Sequence, residues 1–317
     1  MSFSRQVKEE ILNNIERNPC CDTAFLSAIL KSNAEYNITK NGFSIEIKTQ
    51  IDLLAQLIKD IIKRLYSVEV TIETEVDAFS KIVRKVIKFE ESAREILIDC
   101  KIARINEENC FEFLDEIDDD IYIDECCRKG YIKAMFLACG TICGIDNNKK
   151  RSVDYHVEWV FTNEKTAYDF MELLASFNIF GRKVIRKKSY VIYLQKFEQI
   201  SDLLVLVGST ESMLVLNNEY AVRSIKNSIN RISNCETANL NKTIDASLIQ
   251  LDAIETIMQT IGLEALPEEL ESLCVLRLAN SEETLKELSD LTGMSRSAIN
   301  YRFNKIIKIA NELKEDN

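Results

Sequence analysis

The sequence predicts two domains of different class. A duplicated α+β domain over about residues 1–215 is followed by a linker at 216–245 and an all-α helix-turn-helix domain over 246–317. Three observations predict this. One helix pattern is repeated without gaps at a spacing of about one small domain, which marks a duplicated half. Period-2 and period-3.6 hydrophobic patterns then recur in the same order after each copy. The last stretch carries only helical patterns, broken by a short turn containing Gly293. With only 8 Gly and 2 Pro among 317 residues, helices are favoured, and a collagenous or Pro-rich disordered chain is excluded.

The repeat aligns Cys20–Ala34 (CCDTAFLSAILKSNA) with Cys126–Gly140 (CCRKGYIKAMFLACG). Phe25 matches Tyr131, Leu26 matches Ile132, Ala28 matches Ala134, Ile29 matches Met135 and Leu30 matches Phe136. Small residues on the repeated helix (Ala28, Ala34, Ala134 and Gly140) let two helices approach closely, so the copies are expected to pack about a pseudo-two-fold axis. After the first copy come alternating Gly42–Thr49, helical Ile51–Tyr66, alternating Val68–Val76 and Ile82–Phe89, and helical Ser92–Ile102. After the second come alternating Asp154–Phe161, helical Thr166–Phe177, a hairpin of Lys183–Arg186 with Tyr190–Gln195, and helical Phe197–Val207. The halves span about 1–105 and 120–215. The Asn-rich part of the linker, Asn230–Asn241, has turn character, and a helix Ile244–Ile261 leads into the last domain.

Charge is distributed unevenly. The formal net charge of -11 argues against a uniformly basic nucleic-acid coat. Ten acids, with no Lys or Arg among them, lie in the connector Glu107–Glu125; outside it, 40 basic residues face 41 acidic ones. Arg182, Lys183, Arg186, Lys187, Lys188 and Lys196 form one acid-free cluster, and Arg296, Arg302, Lys305 and Lys308 another. No apolar run is long enough to span a bilayer, and the N-terminus has no apolar signal region, so no membrane partner is expected.

The ten cysteines lack the CxxC pairs or companion histidines of a zinc site, and the single His156 sits in an alternating segment as a strand residue. Without a signal peptide, the cysteines are read as reduced small hydrophobes in a cytoplasmic protein, and neither a metal nor another cofactor is expected.

The repeated helix resembles the LAGLIDADG helix of homing endonucleases, with Leu26–Ala34 (LSAILKSNA) and Ile132–Gly140 (IKAMFLACG) on the nine-residue motif. The resemblance implies αββαββα halves. In active endonucleases the acid before the last glycine binds a divalent metal. Here the degenerate nuclease positions are Asn33 and Cys139, and the acidic position two earlier is Lys31 and Leu137. A hard cation needs oxygen ligands, preferably carboxylates, so the scaffold looks like a nuclease without its chemistry.

In the last domain, Pro267, Glu268 and Glu269 suit the first turn of a helix running to about Ala279. A second helix, Thr284–Leu291, has Leu285, Leu288 and Leu291 assigned to one face. Gly293 suits the positive φ of a tight turn, and Ser295 can cap the third helix, Arg296–Glu312. This is the helix-turn-helix order. At about 100° per residue, Phe303, Ile306 and Ala310 fall within about 40° of Ile299. Ser297, Asn300, Tyr301, Asn304 and Lys308 lie toward the opposite side, with no acid among them. Asn and Arg can read base edges, and Ser and Tyr can contact bases or phosphates. Arg296 sits at the N-terminus, where recognition helices meet bases, while Arg302, Lys305 and Lys308 suit phosphates. The DNA-binding set is therefore Ser295, Arg296, Ser297, Asn300, Tyr301, Arg302, Asn304, Lys305 and Lys308. A second, less specific set is expected at Arg182, Lys183, Arg186, Lys187 and Lys188.

The chain as a whole resembles the WhiA family of bacterial DNA-binding regulators of sporulation and cell division. The resemblance rests on SFSRQVKEEI, the Cys pair before each helix, GYIKAMFLACGTI, NRISNCETANLNKT and LKELSDLTGMSRSAINYRFNKI. Cys139–Gly140–Thr141 departs from the second small residue usual there. The resemblance implies an inactive LAGLIDADG scaffold fused to a helix-turn-helix, promoter DNA as partner, and a cytoplasmic, nucleoid-associated role in division, chromosome segregation or sporulation. Two other readings remain open at this point. One is a protein-interaction adaptor at the division or segregation machinery, with a protein partner in division or sporulation, in which Glu107–Glu125 is the contact surface or masks the chain's own basic hairpin. The other is a metal-dependent endonuclease.

Overall fold

The computed structural model describes residues 2–15, 19–39, 42–78, 81–143 and 155–315, so Asp154, the first residue of one expected strand, lies outside them. The chain divides into two units, residues 1–221 and 222–317.

In the first unit a helix α1 (Phe3–Asn13) precedes two halves of identical order. The first half is α2 (Pro19–Asn33), β1 (Ala34–Thr39), β2 (Gly42–Thr49), α3 (Asp52–Tyr66), β3 (Thr71–Val76), β4 (Val83–Phe89) and α4 (Ala93–Asp99). A short hairpin of β5 (Ala103–Ile105) and β6 (Phe111–Phe113) and a 3-10 turn Asp119–Tyr122 connect it to the second. That half is α5 (Glu125–Cys139), β7 (Gly140–Cys143), β8 (His156–Phe161), α6 (Glu164–Ala175), β9 (Arg182–Arg186), β10 (Ser189–Leu194) and α7 (Phe197–Leu206).

Each half is thus αββαββα, and the sheets share one topology, β1-β2-β4-β3 and β7-β8-β10-β9, with all neighbours antiparallel. The inward positions correspond as well. Ile47 faces Ile87 across the β2–β4 pair, Trp159 faces Ile192 across β8–β10, and all four side chains are buried. The paired helices α2 and α5 pack together, with Ala28 and Ala134 fully buried. Because those two residues end at Cβ, the helix backbones can come close. Apolar spacing of three and four along α3 buries Leu54, Ile58, Ile61 and Ile62 on one stripe, and Ser67 ends the helix in the left-handed region at φ 59°.

The fold corrects several expectations. Ala34 and Gly140 do not continue the repeated helices; they begin β1 and β7, whose chain leaves each helix without a loop. At Gly140 an added Cβ would lie 2.6 Å from the Phe136 ring, so this sharp exit has no room for a side chain. The helix expected at Ser92–Ile102 stops at Asp99 because Lys101 takes φ 54°, while Ile102 tucks back to be buried.

The turn expected at Asn230–Asn241 is helical, inside α8 (Thr210–Thr260). Asparagine is a poorer helix former by only about 0.7 kcal/mol or less, and α8 contains neither Gly nor Pro, the residues that break helices.

The second unit holds the later part of α8, a 3-10 turn Leu263–Ala265, α9 (Glu268–Ala279), α10 (Leu285–Thr292) and α11 (Arg296–Glu315). Ile254, Ile257, Leu273, Cys274, Leu288, Ile299, Phe303 and Ile306 form its own core. Among the described residues no helix is long and apolar enough to cross a membrane.

Candidate nucleic-acid interface

The turn between α10 and α11 is built from short-range contacts. Thr284 and Glu287 form a capping box that starts α10. Gly293 takes φ 71° at its end, where its backbone N–H donates to the Ser289 carbonyl. The Ser289 hydroxyl donates to the Met294 carbonyl, and Ser295 Oγ accepts the Ala298 N–H at 3.3 Å to cap α11. The stripe Ile299, Phe303, Ile306 and Ala310 is buried, as the face arithmetic requires.

Arg277 locks this arrangement. It is buried, donates from Nε to Gln250 at 2.9 Å and from a terminal nitrogen to the Glu283 carbonyl at 2.7 Å, and stacks 5.4 Å from the Phe303 ring centroid. One side chain therefore joins α8, the start of α10 and α11.

Ser295, Arg296, Ser297, Asn300, Tyr301, Asn304, Lys305 and Lys308 are all exposed, with Ser297, Tyr301, Asn304 and Lys308 on one face of α11 and Asn300 and Lys305 on its two flanks. Lys305 Nζ lies 4.8 Å from the Tyr301 ring centroid, so the pair presents an aromatic plane carrying a cation. Arg302 differs. It is half-buried and bridged to Glu269 of α9 at 2.8 Å, so it acts in this structure as a strut between helices and would have to leave that carboxylate to meet a phosphate. Leu291 is 61% exposed, although its spacing from Leu285 and Leu288 suggested one face. Steps of three residues fall about 60° short of a full turn each time, so the third member of such a series rotates off the face.

In the first unit, β9 is an edge strand, and Arg182, Lys183, Arg186, Lys187 and Lys188 are all exposed on its hairpin. Lys183 pairs with Glu164 at 2.6 Å and Arg186 with Glu158 at 3.1 Å. The acidic connector is engaged elsewhere. Glu116 pairs with Lys165, Asp120 with Lys101 and Glu112 with Arg104, while Leu114, Ile117 and Ile121 are buried. Among the described residues no ion pair joins connector to hairpin, which removes the observation that a self-masking contact would need.

The degenerate nuclease positions lie at the C-terminal ends of α2 and α5. An open cavity of about 560 Å³ there is lined by Asn33, Lys8, Lys48, Arg84 and Glu35 among others. The Asn33 amide donates to the Lys48 carbonyl, and the Cys139 thiol donates to the Met135 carbonyl at 3.5 Å. Burial pushes the Cys139 thiol up to about 12, against the pull of Lys8, and burial brings the Lys8 ammonium down to about 8. An amide and several cations, with the carboxylate of Glu35 paired to Lys48 at 3.4 Å, are a poor donor set for a hard divalent ion. Lys31, at the other formerly acidic position, donates to the Leu114 carbonyl and so anchors the connector.

One cluster was not visible in the spacing of the sequence. Cys20 and Cys21 open α2, Cys126 and Cys127 open α5, and the helix pairing brings all four sulfurs within 4.8 Å of one another. The repeat itself carried the signal, since residues at matched positions of two paired helices meet at the axis.

Family models match nearly the whole chain in three consecutive parts. They are a WhiA N-terminal LAGLIDADG-like domain at residues 19–103, a WhiA LAGLIDADG-like domain at 128–226, and a WhiA C-terminal HTH domain at 229–310. Two relatives named probable cell division protein WhiA are similar over 99% of this chain and 98% of their own length. That from Bacillus subtilis (strain 168) is 37% identical, and that from Bacillus cereus (strain B4264) is 35% identical. The crystal structure of full-length DUF199/WhiA from Thermatoga maritima shares the fold, at a TM-score of 0.56 and 22% identity, covering 98% of this chain and 99% of that one. Matched models along the chain, full-length relatives above 30% identity and the αββαββα halves followed by a helix-turn-helix agree: the chain belongs to the WhiA family.

Proposed function

We propose that this protein binds double-stranded DNA sequence-specifically at promoters and regulates transcription in cell division, sporulation and chromosome segregation, without catalysis. It acts in the cytoplasm at the nucleoid. Residues 1–215 serve as scaffold, 216–245 as linker and 246–317 as the specific DNA-binding domain. The observation that carries the reading is the exposed polar face of α11 between Arg296 and Lys308, which carries no acid before Glu312, the residue paired with Lys308 at 3.7 Å, and which is held outward by its buried stripe and capped at Ser295. Arg296 and Asn300 are the base readers, with Ser297, Tyr301 and Asn304 beside them. Lys305 and Lys308 contact phosphate, as does Arg302 once released from Glu269. The relatives' naming as probable cell division proteins supports the process.

Chromatin immunoprecipitation should identify discrete promoter sites, and gel shifts on those sites test the interface. Each bidentate base contact contributes about 1–3 kcal/mol of discrimination, so Arg296→Ala with Asn300→Ala should weaken specific binding at least about tenfold while circular dichroism stays unchanged. Wild-type affinity in the folded double variant would remove the recognition-helix assignment. Binding should fall steeply with salt, because each neutralised phosphate releases counterion. The same DNA incubated with magnesium or manganese should stay uncut, since Asn33 and Cys139 offer no carboxylate to either ion.

A further inference from the structure

We propose that Cys20, Cys21, Cys126 and Cys127 together hold one tetrahedral zinc ion that staples the two halves of the duplicated domain. Zinc bonds four thiolates at about 2.3 Å, which sets the edge of the sulfur tetrahedron near about 3.8 Å. The Cys20 and Cys21 sulfurs lie 3.5 Å apart, the Cys20 and Cys126 sulfurs 3.6 Å apart, and no pair among the four exceeds 4.8 Å. Four sulfurs in mutual proximity describe a coordination shell. One disulfide would use only two of them.

The surroundings suit the charge. Four thiolates on Zn²⁺ leave two net negative charges. Both Cys pairs sit in the first turn of a helix, where unpaired backbone N–H groups and the macrodipole favour anions. Lys133 and Lys129, the latter paired with Glu125, line the same cleft as Cys21 and Cys126, and the carboxylate of Asp22, which also lines it, is bridged to Arg64 at 2.8 Å. Gly130 faces Cys21, and a Cβ there would lie 3.4 Å from the Cys21 Cβ, so the two turns pack side by side. The Cys127 thiol donates to the Cys20 carbonyl at 3.2 Å, which brings the two turns together; that hydrogen bond is given up when Cys127 ionises onto the metal. On binding, four S–H bonds break, four Zn–S bonds form, and the protons pass to buffer.

The role is structural. The site lies at the N-terminal ends of α2 and α5, and the degenerate nuclease positions lie at their C-terminal ends, about 20 Å away along helices of 15 residues. The ion would hold the helix pair together at the end opposite to those positions.

The test uses the full chain purified under reducing conditions without chelator. Elemental analysis should find one zinc per chain. After stripping and anaerobic reconstitution with Co²⁺, the chain should show the thiolate charge-transfer and tetrahedral ligand-field bands of a four-sulfur site, and Zn²⁺ should abolish them. Cys20→Ser with Cys126→Ser should lose the metal, while Cys110→Ser, at an exposed cysteine outside the cluster, should keep it. If the double variant fails to fold, alkylation of the wild type decides, because zinc should protect these four cysteines and leave Cys110 and Cys235 reactive. Absence of retained zinc after reconstitution, an iron–sulfur chromophore, a Cys20–Cys126 disulfide in its place, or full metal content in the double variant would each overturn the proposal.

Discussion

Glu10 shows how much of a fold can rest on one carboxylate. It receives the Ser209 and Ser212 hydroxyls and the backbone N–H groups of Glu211 and Ser212, so it caps the first turn of α8 from a position 199 residues earlier than Ser209. Burial alone would raise its pKa. The four donors outweigh burial and hold it below the ordinary carboxylate value of 4.5. Its contribution is therefore complete above that value and is lost as pH falls through the lower folded one. Glu10→Gln should lower stability by about 1–2 kcal/mol at pH 7, and urea titrations should show the gap closing below about pH 4. No spacing rule could reveal this residue, because its partners are remote in sequence. The recognition-face residues were legible because theirs is a local, periodic relation.

At the scale of elements, legibility followed length and regularity. β2 has the limits the alternation implied, and α11 buries the stripe the face arithmetic chose. β1 and β7 were missed because each follows a helix with no turn residue to announce it. The β5–β6 hairpin was hidden because β5 is only three residues long and β6 lies inside the acidic run, where Phe111 and Phe113 alternate with Glu112. The basic β9–β10 hairpin was legible as a pattern, and its role is open to a direct measurement. Arg186→Ala, Lys187→Ala and Lys188→Ala together should lower DNA affinity across unrelated sequences and flatten the salt dependence by up to about three counterions. An unchanged salt slope would show that the hairpin stays off the duplex.

Over the whole chain, the two units have separate hydrophobic cores, one around α2 and α5 and one around α9, α10 and α11. Two unfolding transitions are therefore expected by calorimetry. Arg277→Ala should lower the one belonging to the helix-turn-helix by about 3 kcal/mol, because it removes charge-assisted bonds to Gln250 and Glu283 and leaves the buried Gln250 acceptor unpaired. Glu10→Gln should move only the other. A single transition displaced by both variants would mean that the cores melt together.

The matched sheets also have mismatched borders. β3 and β9 occupy equivalent edges, yet β3 (TIETEV) carries Glu73 and Glu75 while β9 (RKVIR) carries Arg182, Lys183 and Arg186. A duplicated frame left even would grip a duplex alike from either end. If the first unit meets DNA, its basic border is the edge that phosphates would favour and its acidic border the edge they would avoid. A footprint that includes the first unit should then be lopsided, and the protein should read its site in one direction rather than as a palindrome.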